Sequence, residues 1–140
     1  VEIAAEYDIP VERIHLEITE SEFQDPQAVE RTLDRLRKFG MQVALDDFGT
    51  GCSTLLSILE LPIDYVKIDK SLVWSYGEVG NQFLDDLMPV IKNEGKKVIA
   101  EGIETEEHIE IFRRLQGDYL QGYYYSKPLS QNDFLNFLDD

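Results

Sequence analysis

The feature that most restricts this chain is an alternation. Five short runs rich in Val, Ile, Leu or Tyr are RIHLEIT (13–19), QVALDDF (42–48), YVKID (65–69), KVIAEGI (97–103) and YLQGYYY (119–125). Between them lie segments with helical spacing. Pro26 to Phe39 sets Val29, Leu33, Leu36 and Phe39 on one stripe, and Thr54 to Leu61 does the same with Leu55, Ile58 and Leu59. Asn81 to Asn93 aligns Phe83, Leu84, Leu87 and Ile91. Glu106 to Leu115 aligns Ile109, Ile111, Phe112 and Leu115, and Asn132 to Leu138 aligns Phe134, Leu135 and Leu138. Apolar residues at i, i+3 and i+4 cover one face of a helix. Strand and helix in strict turn predict a parallel α/β sheet. Gly40 and Gly95 stand where helices stop before the next strand.

A parallel sheet leaves two main architectures, an open doubly wound sheet or a barrel. The glycine pattern GxGxxG that follows the first strand of a dinucleotide-binding sheet is absent. The polar residues favour the barrel. Glu17, the pair Asp46 and Asp47, Lys67, Glu101 and Gln121 each fall in or at the end of a different strand, 29, 21, 34 and 20 residues apart. An eight-unit barrel of about 250 residues uses roughly 30 per unit and collects its reactive groups from several strand ends on one face. The expected fold is therefore α/β, a partial (β/α)8 TIM-type barrel of about five βα units, with residues 1–140 as one domain. The opening VEIAAEYDIPVERIH has no initiator Met and reads as the end of a helix, a loop around Pro10 and a strand. The expectation is a fragment of a longer parent.

Charge narrows the partners. The formal net charge is -15, so the overall field does not attract a DNA or RNA polymer. A phosphate ester can still bind if cations stand between it and the protein. A single cysteine, Cys52, forms no internal disulfide, which fits a reducing cytoplasm. No apolar run approaches the roughly 20 residues of a membrane span, so this segment predicts no membrane contact, although other domains could tether a parent to one.

The pair Asp46–Asp47 is the clearest chemical signal. Mg²⁺ takes oxygen ligands, and a bridging carboxylate beside a second carboxylate suits two metals about 3.5–4 Å apart. Adjacent residues of a regular strand point to opposite faces, so the two aspartates converge only where the chain bends, and Gly49 and Gly51 make a bend cheap. Each residue also has a plain reading. Aspartates at a strand end cap helices, Glu101 and Glu104 suit an acidic helix start, and Lys67 and Glu17 could face solvent. His15 and His108 lack ligand spacing, Cys52 lacks a histidine partner motif, and Tyr123, Tyr124 and Tyr125 read as barrel-end packing. Trp74 reads either as packing in the loop after YVKID or as a partner surface.

The stretches HLEITES, ALDDFGTGCSTL, LPIDYVKIDKSLV, VIAEGIET and DYLQGYYYSKPL, in this order, resemble successive motifs of EAL-domain cyclic-di-GMP phosphodiesterases. The resemblance covers nearly the whole chain. It implies a (β/α)8 barrel that hydrolyses cyclic-di-GMP to linear pGpG with Mg²⁺ or Mn²⁺. It further implies that Glu17, Asp46, Asp47 and Glu101 bind metal, with Asp46 bridging two ions. Lys67, Glu101 and Gln121 take catalytic roles, Lys67 beside the attacking water, where two metals would lower its pKa. Asp46 and Lys67 also face substrate, while Glu20, Gly49, Gly51 and Glu104 support the loops. Cys52 and Thr54 depart from the family pattern GTGxSSL. The family's Glu-Ala-Leu glutamate and its metal-binding asparagine belong to earlier strands, and no such tripeptide occurs here. The fragment is accordingly expected to be poorly active alone and to pair its open edges, as a homo-oligomer or with the N-terminal half of a barrel. The alternative function is a degenerate EAL module that binds cyclic-di-GMP or a protein without cleavage.

Overall fold

Hydrogen bonds join the apolar runs into one five-stranded sheet in the computed structural model, which describes residues 2–19, 26–50, 55–77 and 82–139. The strands are β1 (His15–Ile18), β2 (Gln42–Phe48), β3 (Tyr65–Ile68), β4 (Lys97–Ala100) and β5 (Tyr119–Leu120). All neighbours are parallel, and the spatial order is the chain order, β1-β2-β3-β4-β5. A doubly wound sheet reverses direction at a switch point, whereas an unbroken order is that of a barrel. The sheet is an arc of a TIM-type barrel.

The helices are α1 (Glu2–Glu6), α2 (Pro26–Lys38), α3 (Leu55–Glu60), α4 (Lys70–Trp74), α5 (Phe83–Asn93), α6 (Glu106–Arg114) and α7 (Gln131–Asp139), with a 3-10 turn at Val11–Arg13. The strand alternation sorts the two faces. Val43, Leu45, Val66, Ile68, Val98 and Ala100 point outward and share one core with Leu33 of α2, Ile58 of α3, Leu84, Leu87 and Ile91 of α5, and Ile109 and Phe112 of α6. Each of these Val, Leu, Ile and Phe side chains contributes about 1.5–3 kcal/mol by burial. Helices thus cover the convex face. The alternate residues, among them Glu17, Ala44, Asp46, Tyr65, Lys67, Ile99 and Glu101, fall on the concave face.

Several stripes pack only in part. Leu33 is buried, and Val29 and Leu36 pack against the core, but Phe39 at the end of α2 is exposed. Leu55, Leu59 and Phe83 are also exposed. Helix α7 forms where its spacing predicts, yet it buries no residue. The run YLQGYYY supplies only two strand residues. After Leu120 the chain turns at Gly122, whose Cβ position would lie 2.1 Å from the Ile103 carbonyl oxygen. Tyr123, Tyr124 and Tyr125 therefore stand exposed rather than packed against a barrel end. Helix α4 follows directly on YVKID, because Asp69 caps it by accepting the Ser71 amide at 2.8 Å. Glu20, Gly51, Cys52 and Thr54 lie outside the described residues. No helix among the described residues is long and apolar enough to cross a membrane.

Candidate metal and active site

The site begins with a fault in the sheet. Leu45 pairs with Val66 and Phe48 with Ile68, so β2 advances three residues while β3 advances two. The extra residue is a β-bulge, which re-aims side chains. The bend falls on the aspartates themselves, since Asp47 has φ +53°. Aspartate tolerates this left-handed conformation better than most residues. Thr50 fixes the turn: its amide and hydroxyl both donate to the Asp47 carbonyl, at 3.2 and 3.0 Å. Gly49 follows at φ +107°, where a Cβ would lie 2.3 Å from Leu72 Cδ1. The convergence expected of Asp46 and Asp47 is present, but the turn starts at Asp47, two residues before the first glycine, Gly49.

The bulge brings Asp46 and Asp47 to Glu101 at the end of β4. One carboxylate oxygen from each of the three lies within 4.8 Å of the others. Beside them stands Lys67, on a strand whose four residues are all buried. An unpaired buried ammonium is costly. Lys67 Nζ avoids this with Asp46 Oδ1 at 2.7 Å, Glu17 Oε1 at 2.8 Å and Glu101 Oε1 at 3.0 Å. Burial pulls the lysine pKa down, but contacts with Asp46, Glu17 and Glu101 outweigh it and hold the ammonium above its ordinary value. Burial raises the Glu101 pKa; Lys67 opposes the rise, and Asp46 and Asp47 add to it. Asp46 Oδ1 is buried, and its contact with Lys67 is a charge contact without hydrogen-bond alignment.

The other site residues divide. Glu17 reaches the group through Lys67 and stands outside the three-carboxylate cluster. Gln121 follows β5; its carbonyl accepts the Ile103 amide at 3.1 Å, and the residue lines a cavity of about 670 Å³ with His15, Tyr65, Tyr119 and Tyr125. Glu104 is exposed, and its amide donates to His108 Nδ1 at 3.3 Å, so His108 steadies the loop after β4. His15 stacks on Tyr65 with ring centroids 4.7 Å apart. The indole N–H of Trp74 donates to the Gly102 carbonyl at 2.8 Å, next to Glu101.

Residues 1–128 match the family model described as the EAL domain. The chain belongs to the EAL domain family. The chain is 38% identical over 135 residues to the probable cyclic di-GMP phosphodiesterase PdeB of Escherichia coli K12, covering 95% of this chain and 25% of that protein. It superimposes on the EAL enzyme Bd1971, in its cAMP- and cyclic-di-GMP-bound form, with TM-score 0.92 and 30% identity, covering 99% of this chain and 38% of that one. The EAL-domain protein YkuI of Bacillus subtilis, in complex with substrate c-di-GMP and calcium, matches with TM-score 0.76 and 27% identity, covering 99% of this chain and 38% of that chain. The EAL chain described here spans about a quarter of the length of PdeB.

Proposed function

We propose that the EAL domain to which this chain contributes hydrolyses cyclic-di-GMP to linear pGpG with Mg²⁺ or Mn²⁺. The observation that carries this reading is the meeting of Asp46, Asp47 and Glu101 within 4.8 Å at the strand ends, with Lys67 against two of them. The donor set fits a hard divalent cation: all three groups offer oxygen, and Asp46 Oδ1 is buried without an aligned hydrogen bond. Asp46, Asp47 and Glu101 hold the metal in this reading, with Glu17 joining from β1. A cation bound there draws charge from the phosphodiester oxygens and makes a water more acidic.

The chain's own groups do the rest. Lys67 orients the water and offsets phosphate charge, and Gln121 contributes from the neighbouring strand end. Water oxygen bonds to phosphorus, one phosphorus–O3′ bond breaks, and the water proton ends on the departing O3′. Glu20, Gly49, Gly51 and Glu104 support the loops. The named binding of cyclic-di-GMP by related EAL structures supports the substrate. We further propose that residues 1–140 belong to one domain in the cytoplasm. Strands β1 and β5, each paired on one side only among the described residues, pair with further barrel strands or with a second copy.

The test is turnover by the full-length protein with Mg²⁺ or Mn²⁺, followed by separation of nucleotides. Accumulation of pGpG is expected. Tight cyclic-di-GMP binding with no pGpG would replace the hydrolase with a binding module.

A further inference from the structure

We infer that Trp74 is a positioning residue for Glu101, joining the strand that carries the lysine to the loop that carries the third carboxylate; this rests on the metal-site reading above. The argument begins with a close approach. Gly102 has φ +65°, and a Cβ there would lie 2.3 Å from Lys70 Cβ and 3.4 Å from Trp74 Nε1. Only a residue without a side chain lets α4 sit against this loop. Trp74 uses that closeness, donating its indole N–H to the Gly102 carbonyl at 2.8 Å. Lys70 Nζ lies 5.4 Å from the centre of the indole ring, a cation–π distance that holds the ring's orientation.

The opposite side of the loop is tied as well. The Ile103 amide donates to the Gln121 carbonyl at 3.1 Å, and the Ile103 carbonyl accepts the Tyr124 amide at 2.9 Å. The Glu101 amide donates to the Ile68 carbonyl at 3.0 Å. Residues 101–103 are therefore held by β3 and the β5 turn, and Trp74 adds the single side-chain hydrogen bond to a loop carbonyl among the described contacts. Helix α4 begins three residues after Lys67, so the indole closes a loop from Lys67 to its partner Glu101, 3.0 Å away. Trp74 is itself nearly half exposed and adds little to the core. Its hydrogen bond is thus better placed to set the reach of Glu101 than to hold the fold.

Calorimetric titration of the full-length protein with Mn²⁺ alone tests this. Trp74→Phe keeps an aromatic ring and removes the indole N–H. Expected is about 10-fold weaker Mn²⁺ binding, the scale for loss of a hydrogen bond that orients a metal ligand. Tyr76→Phe is the control: it removes a hydroxyl bonded to Asp85 and Arg114 near the same helix and is expected to keep the wild-type affinity. Wild-type affinity in Trp74→Phe overturns the inference, as does equal weakening in both variants, which would mean general loosening. If the wild type itself takes up no Mn²⁺, the metal-site reading falls, and this inference with it.

Discussion

The two ends of the sheet treat carboxylates in opposite ways. At the N-terminal ends, each aspartate is neutralised and hydrogen-bonded. Asp64, just before β3, accepts the Val43 amide at 2.9 Å and faces Arg37 at 3.6 Å. Asp118, just before β5, accepts the Val98 amide at 2.7 Å and pairs with Lys92. At the C-terminal ends, Glu17, Asp46 and Glu101 share one ammonium, that of Lys67, and Asp47 adds a further carboxylate beside Asp46 and Glu101. The same residue type stitches strands at one end and accumulates uncompensated charge at the other. Barrels keep stability and chemistry on opposite faces in this way.

The contrast is broken most strongly at Asp47. Asp47→Asn keeps a residue that tolerates positive φ and removes one carboxylate. Turnover by the full-length protein should fall by about 10²-fold or more, the scale for losing a group that organises transition-state charge. The melting temperature should hold or rise, because like charges are relieved. A variant that loses stability and keeps activity would reverse the assignment of the two ends.

Lys67→Met should cost about 2–3 kcal/mol in denaturant unfolding, somewhat below a fully buried pair because the carboxylates reach solvent. Added Mg²⁺ should recover part of that loss, since the cation replaces the missing charge. A variant as stable as wild type would mean that the three contacts on Lys67 carry no weight.

At the other end, Asp118→Ala should cost about 1–2 kcal/mol by orphaning the Val98 amide, with kcat unchanged. A fall in kcat would show that the N-terminal end is not purely structural. The smallest effect concerns pH. Burial alone would raise the Asp118 pKa, but hydrogen bonds from Lys92 and the Val98 amide outweigh it, so the folded value lies below the ordinary one. Burial likewise opposes, and the Ser71 and Lys70 hydrogen bonds outweigh it, at Asp69. A depressed carboxylate pKa stabilises above the unfolded value, near pH 4, and the stabilisation disappears as pH falls through the lower folded value. Asp118→Asn should therefore flatten the acid limb of stability, measured by melting between about pH 5 and 2.

Much of this was legible beforehand. The burial of Val43 and Leu45 on one face of β2 follows from strand alternation, and the stripe through Leu84, Leu87 and Ile91 from helical period, whereas Phe48 returns to that face only through the bulge. The stripe on α7 was equally legible as a helix, but its burial was not, because a pattern shows that a face is apolar and not what lies opposite. Exposed Phe134 and Leu138 are the result. Asp64 and Asp118 carry no signal in the sequence, because an aspartate before a strand looks the same whether it meets solvent or a neighbouring amide. Trp74 was visible as an odd residue, yet its partner is 28 positions away.

Local periodicity, turn chemistry and motif order determined the strands, most helices and which residues were worth suspecting, since these depend on neighbours within a few positions. The bulge at Asp46–Asp47, the three carboxylates on Lys67 and the indole on Gly102 were decided only by the packed sheet. Each depends on register between strands distant in sequence, and in a parallel sheet that register is set when helices and strands close together, not by either strand alone.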